Sequence, residues 1–266
     1  LDHFLSEGRA GLAKGPIALI LVEDDVEINT TVRHHQQYRF SHVIVLMPPS
    51  FELARDVAET VIRIDYDPDK DWALETAVNR MIDATPGQWL YFCYNAEYLF
   101  YPFCETRSIG EMLGFHSEER REAMLTYVID LYAEDLEKYP DAVSLDQAHM
   151  DRSGYYALAR PSDSTDTPPK DRQLDFYGGL RWRFEEHVPA SRRRIDRISL
   201  FKAKPGLRIG ANYTFNDEEY NTYACPWHQM AQLHPLRMAF TPTLGFGFDG
   251  TGAMVLNQHF ASRTSR

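Results

Sequence analysis

The chain has 266 residues, of which 44% are hydrophobic, 13% aromatic and 25% charged, with a formal net charge of −11. This is the composition of an ordinary globular protein, which excludes a disordered or fibrous chain, and the length suits one α/β domain with a large core. The acidic balance disfavours general affinity for nucleic acid, which is bound through many Lys and Arg contacts to phosphate.

Leu1–Gly15 lacks the basic start, apolar middle and small-residue cleavage site of a secretory signal, so a cytoplasmic protein is expected, with residues 1–15 as an extension. Pro16–Val22 is a continuous apolar run of strand length running into Glu23-Asp24-Asp25, the pattern of a buried parallel strand with polar residues at its C-terminal end. No run approaches the roughly 20 apolar residues of a membrane-spanning helix. Asp24 or Asp25 is expected to cap a helix to about Tyr38. His42–Met47 reads as a second strand stopped by Pro48-Pro49, and Thr60–Asp65 as a third. After Asp71, the spacing of Trp72, Leu74, Ala77, Val78, Met81 and Ile82 predicts a helix with one apolar stripe, ending near Pro86-Gly87. Gln88–Tyr94 gives a fourth strand. This alternation predicts a mostly parallel sheet with helices on both faces.

The second half is less regular. Glu122–Tyr132 reads as a strand, with Glu118–Leu125 open to a helical alternative, and Tyr155–Ala159 as a short strand. Arg160–Asp171, rich in Pro, Ser, Thr and Asp, reads as a loop, and the glycines between 245 and 252 as a tail. Charge is uneven: Glu118–Asp151 holds ten acidic and three basic residues, Arg181–Arg208 nine basic and three acidic. A basic region in an acidic protein suits a small phosphorylated ligand or an anionic surface better than a polynucleotide. Arg192-Arg193-Arg194 with Arg197 reads as a solvated loop face pairing with the acidic region, with peripheral membrane contact as the alternative. Cys93, Cys104 and Cys225 form no C-x-x-C pair and point to free thiols.

Ligands of parallel α/β sheets bind beyond the C-terminal ends of the strands, which directs attention to Glu23–Asp25, Met47–Ser50, Asp65–Asp67 and Tyr94–Glu97. The last group, within Trp-Leu-Tyr-Phe-Cys-Tyr-Asn-Ala-Glu-Tyr-Leu-Phe-Tyr-Pro, resembles the metal-binding segment of a bacterial branch of the family 2 glycosyltransferases. There an apolar strand runs into Asp-Ala-Asp-Glu-Phe-Leu and then Tyr-Pro. Val22–Asp25, His42–Ser50, Asp175-Phe-Tyr-Gly-Gly-Leu-Arg-Trp-Arg183 and Ile198–Phe201 resemble further segments of that family in the right order, so the likeness spans about residues 16–235.

The resemblance implies a glycosyltransferase A fold, a mixed-sheet nucleotide-diphosphosugar-transferase-like α/β domain over 16–235, with 236–266 as a tail. It also implies transfer of a sugar from a nucleotide-sugar donor to a glycan or lipid-linked acceptor. Glu23, Asp24, Asp25, Ser50, Asn95, Gly178, Gly179 and His234 become candidate donor-binding residues. A general base for the acceptor hydroxyl is sought among Glu97, Asp146 and Asp151.

This sequence departs from the family at the metal motif. Tyr94 and Ala96 stand where the family's two aspartates stand, and only Glu97 matches; Mn or Mg favours oxygen ligands that neither replacement provides as a carboxylate. Met47-Pro48-Pro49-Ser50 likewise lacks an aspartate of the family. Three arrangements follow. Arg107, Arg181 and Arg183 hold the diphosphate in place of a metal; a metal binds more weakly through Glu97 with Asn95 or another carboxylate; or the chain is a non-catalytic binding or assembly protein on the same fold.

Overall fold

The computed structural model describes residues 1–12, 14–140, 142–151, 154–161, 174–221 and 236–237. The elements, in chain order, begin with helix α1 (Asp2–Gly8) and a 3₁₀ turn (Arg9–Leu12). There follow β1 (Ile17–Leu21), α2 (Ile28–Gln37), β2 (His42–Met47), α3 (Arg55–Ala58), β3 (Ile62–Asp65), α4 (Ala73–Ala84), β4 (Trp89–Tyr94) and α5 (Ile109–Glu118). The remainder comprises β5 (Ala123–Tyr127), β6 (Tyr132–Ala133), β7 (Ala148–His149), β8 (Tyr156–Ala159), β9 (Leu174–Tyr177), α6 (Leu180–Arg183), β10 (Asp196–Lys202), α7 (Glu218–Asn221) and β11 (Leu236–Arg237).

Six strands form a mixed, mostly parallel sheet in the order β3-β2-β1-β4-β10-β5, flanked by helices, and β11 pairs parallel to β5 at its edge. The pairs β1–β2, β1–β4 and β2–β3 are parallel, with Leu19 facing Ile44 on one side and Phe92 on the other. β10 runs antiparallel to β4, with Leu200 opposite Tyr91. β1 is buried along its whole length, as its unbroken apolar sequence requires of a strand covered on both faces. Among the described residues, no helix is long and apolar enough to cross a membrane.

Several local expectations change. α2 is not capped by Asp24 or Asp25: Glu27 begins it in the left-handed region at φ 51°, and Asp24 Oδ1 instead accepts from Val26 N at 3.0 Å. The predicted stripe of α4 is buried from Leu74 to Ile82, but Trp72 precedes the helix in a left-handed conformation (φ 62°) and is 57% exposed. The continuous strand expected over Glu122–Tyr132 is the shorter β5, followed by irregular chain and the two-residue β6. Helix α5 was not foreseen; its start is a capping box in which Ser108 Oγ accepts from Glu111 N and Glu111 Oε2 accepts from Ser108 N. The chain after Gly179 makes a single helical turn, with Leu180 buried and Trp182 exposed. Most of the Arg160–Asp171 loop and the glycine-rich tail lie outside the described residues.

The chain divides into two compact units, Leu1–Asn95 with Phe103–Met124 and Ile198–Tyr220, and Ala96–Pro102 with Leu125–Arg197 and Asn221–Arg266. In the first, Asn79 of α4 clasps the backbone of Ile209, donating from Nδ2 to its O and accepting from its N, both at 2.9 Å. His35 of α2 is fully buried in the same unit, with Nδ1 2.8 Å from Thr31 O and the ring stacked on Tyr91.

Burial, reinforced by His34, holds the pKa of His35 down to about 3 from 6.5. The unfolded imidazole therefore takes up a proton at a pH where the folded one stays neutral, so stability falls as pH drops from 6.5 toward 3. Between pH 6.5 and 5, His35→Phe is expected to lose about 2 kcal/mol less stability than the parent, read from urea unfolding at both pH values.

Candidate functional site

Strand order reverses at β1: β2 and β3 continue the sheet on one side and β4 on the other. The C-terminal ends of β1 and β4 thus flank the switch point where open α/β sheets accept ligands. Glu23 and Asp24 follow β1 and are partly buried, Asp25 is exposed, and Asn95 follows β4 with no exposure. Asn95 closes the gap between the strands. Its Oδ1 accepts from Glu23 N at 2.9 Å, and its Nδ2 donates to Asp24 Oδ1 at 2.5 Å and to Val26 O at 3.0 Å. Tyr94 ends β4 with its hydroxyl 3.5 Å from that of Tyr213, whose ring stacks on Phe92. Ser50 is exposed in the turn after β2, and Arg107 lies on the surface with Nη1 3.1 Å from Glu111 Oε1.

In the second unit, Ala96 is buried in a left-handed conformation at φ 56°. Glu97 is wholly buried and its two carboxylate oxygens accept from Nη1 and Nη2 of Arg197, the first at 3.0 Å, in a forked ion pair. Arg197 and Arg194 therefore belong to the interior and not to the solvated face read from the sequence, and their burial removes them from any membrane-facing patch. Arg181 is tied in two-pronged fashion to Asp130, at 2.6 and 2.9 Å, and donates to the carbonyls of Arg192 and Arg194. Arg194 joins Asp196 at 2.6 Å and Asp175 at 3.3 Å, and Asp175 also takes Arg160 at 2.8 Å. Gly178 and Gly179 have φ 148° and 62°, and they lie against the ring of Tyr155.

Asp146 is exposed, whereas the Asp151 side chain is only 6% exposed. Asp151 Oδ1 accepts from the Tyr132 hydroxyl at 3.2 Å and from Arg183 Nη2, and no described residue bonds its Oδ2. Arg183 remains half exposed and lies over the Tyr132 ring at 5.9 Å. Burial and then the Asp151 charge push both Tyr132 and Tyr155 above the usual phenol range. His234 lies outside the described residues.

The residues at the end of β4 do not fit a divalent cation. Ala96 has no donor atom, the Asn95 carbonyl is taken by a backbone N–H, and Glu97 is already neutralised by a guanidinium. Among the described residues no group of three or more His, Cys, Asp or Glu side chains is arranged to hold a metal ion. No family model and no curated protein matches the chain.

Two partnerships of these arrangements escaped the sequence reading: Arg197, placed there on a solvated face, as the counter-charge of Glu97, and Tyr132 as the hydroxyl bonded to Asp151. Arg197 is announced only by a charge at the head of an apolar strand, Arg-Ile-Ser-Leu-Phe201, which requires a buried counter-charge. Tyr132, the hydroxyl partner of Asp151, carries no local signal. Removing one member of the Glu97–Arg197 pair strands the other in the interior, so Glu97→Ala is expected to cost about 3–5 kcal/mol, with Glu97→Met/Arg197→Met recovering much of it. Urea unfolding of the single and double variants measures both.

Proposed function

We propose that this chain is a glycosyltransferase-like protein of the glycosyltransferase A type that binds a nucleotide-sugar donor without a divalent cation and transfers the sugar to a glycan or lipid-linked acceptor. One observation carries the reading: Glu23, Asp24 and Asn95 meet at the C-terminal ends of adjacent parallel strands where strand order reverses, the position at which such sheets bind nucleotides. With Glu97 locked to Arg197, the charge of a donor diphosphate falls to arginine and backbone N–H donors. Of the three carboxylates considered for the acceptor hydroxyl, Asp151 suits the role best, because Tyr132 and Arg183 fix one oxygen and leave the other for a proton.

A second reading, a non-catalytic binding or assembly protein on the same fold, is favoured by Asn95, whose amide is satisfied within the chain. One experiment separates the two. Calorimetric titration with UDP, GDP and CMP, with and without manganese, is expected to give base-selective, micromolar binding that manganese does not change, followed by slow hydrolysis of the matching nucleotide-sugar. Binding without hydrolysis or transfer moves the chain to the second reading. Absence of binding at millimolar concentration of all three nucleotides removes the transferase reading for those donors.

A further inference from the structure

We propose that Asp151, Tyr155, Trp182 and Arg183 form a subsite for one uncharged pyranose ring of a glycan, which under the transferase reading above belongs to the acceptor. All four lie in the second unit. Trp182 is 47% exposed and Tyr155 37%, although each could bury far more apolar area than it does. Both rings are nonetheless held against backbone. The Trp182 ring lies on Gly154, at φ 84°, where an added Cβ would overlap it. Tyr155 lies on the glycine turn, where a Cβ at Gly178 would overlap the ring and one at Gly179 would stand 2.9 Å from the hydroxyl. Three glycines therefore give two half-exposed aromatic rings a fixed place, which is the pre-organisation a ligand platform needs.

The second observation is the carboxylate beside them. Asp151 is more than nine-tenths buried, its Oδ1 is held by Tyr132 and Arg183, and its Oδ2 has no described partner. That oxygen is not buried without a partner, so it is an acceptor that a donor from solution can reach. Arg183, half exposed, offers N–H groups on the same side chain that neutralises Asp151. Carboxylate and guanidinium together carry no net charge, so neither an isolated phosphate nor a free cation is the matching occupant. A pyranose is: its C–H face covers an aromatic ring, one hydroxyl donates to Asp151 Oδ2, and a ring or hydroxyl oxygen accepts from Arg183.

The test uses the full chain and the methyl glycosides of glucose, galactose, mannose and N-acetylglucosamine at millimolar concentration, followed by saturation-transfer NMR and tryptophan fluorescence. At least one glycoside is expected to bind. Trp182→Ala and Gly154→Ala are expected to weaken it by about tenfold or more, while Trp182→Phe, which keeps a ring, retains most of the affinity. Asp151→Asn, matched in shape but without the charge, is expected to weaken binding several-fold. Failure of all four glycosides to bind, or equal binding to Trp182→Ala and the parent, overturns the subsite. Titration of the same samples with UDP, GDP and CMP keeps the two readings apart: glycoside binding without nucleotide binding supports the subsite and removes the transferase reading for those donors, and nucleotide binding without glycoside binding overturns the subsite and supports the transferase.

Discussion

A charge taken out of water must be met inside the protein, and the second unit is organised by that requirement. Glu97 meets Arg197, Asp130 meets Arg181, Asp175 is shared by Arg160 and Arg194, and Arg194 also holds Asp196. Each of these carboxylates is nearly or wholly removed from solvent. An isolated buried ion costs several kcal/mol, so every such acid fixes where its arginine goes, and with it the segment that carries the arginine. Asp196 shows the reach of this constraint, since its Oδ1 also accepts from Phe176 N at 2.7 Å and so ties β9 to the start of β10. Of the nine basic residues in 181–208, Arg181, Arg183, Arg194 and Arg197 pair with buried acids of this unit.

Ion pairs suit a unit whose backbone is irregular. Its ladders are short: β6 and β7 exchange two residue pairs, and β8 pairs with β9 over four while remaining exposed. Leu180 and Val188, flanked by Tyr132 and Phe184, form a small apolar cluster there. The first unit is built the other way, around β1, β2 and β4 with the apolar faces of α2 and α4, where burial of Val, Ile and Leu is non-directional and the strand ladder supplies register. In the second unit direction comes from forked guanidinium–carboxylate geometry, which fixes orientation more than it adds net stability.

This contrast explains what the sequence makes legible. β1, β2 and β4 announce themselves because an apolar run bounded by polar residues is a local pattern, and the α4 stripe because its period is local too. α5 was available in principle through Ser108 and Glu111, three residues apart. The Glu97–Arg197 pair was not, since it joins positions 100 residues apart and no period in the chain connects them. Nor does sequence distinguish a guanidinium already engaged, as at Arg181, from one half in water, as at Arg183; both belong to one Arg-Trp-Arg triplet. The arginines that residue type alone offers as phosphate clamps therefore sort only when their partners are seen.

Ala96, between Asn95 and Glu97, brings no charge of its own to the end of β4. A metal centre concentrates carboxylates whose mutual repulsion the cation relieves, and without the cation such a cluster is strained. Here Glu97 has a guanidinium on both of its oxygens, so its neutrality does not depend on anything that binds. An aspartate placed at position 96 would add one negative charge beside a pair that is already balanced, and that charge would have to attract a cation with no help from Glu97. Arg197 thus supplies within the fold the positive charge that neutralises Glu97, and the buried pair is balanced without any bound ion.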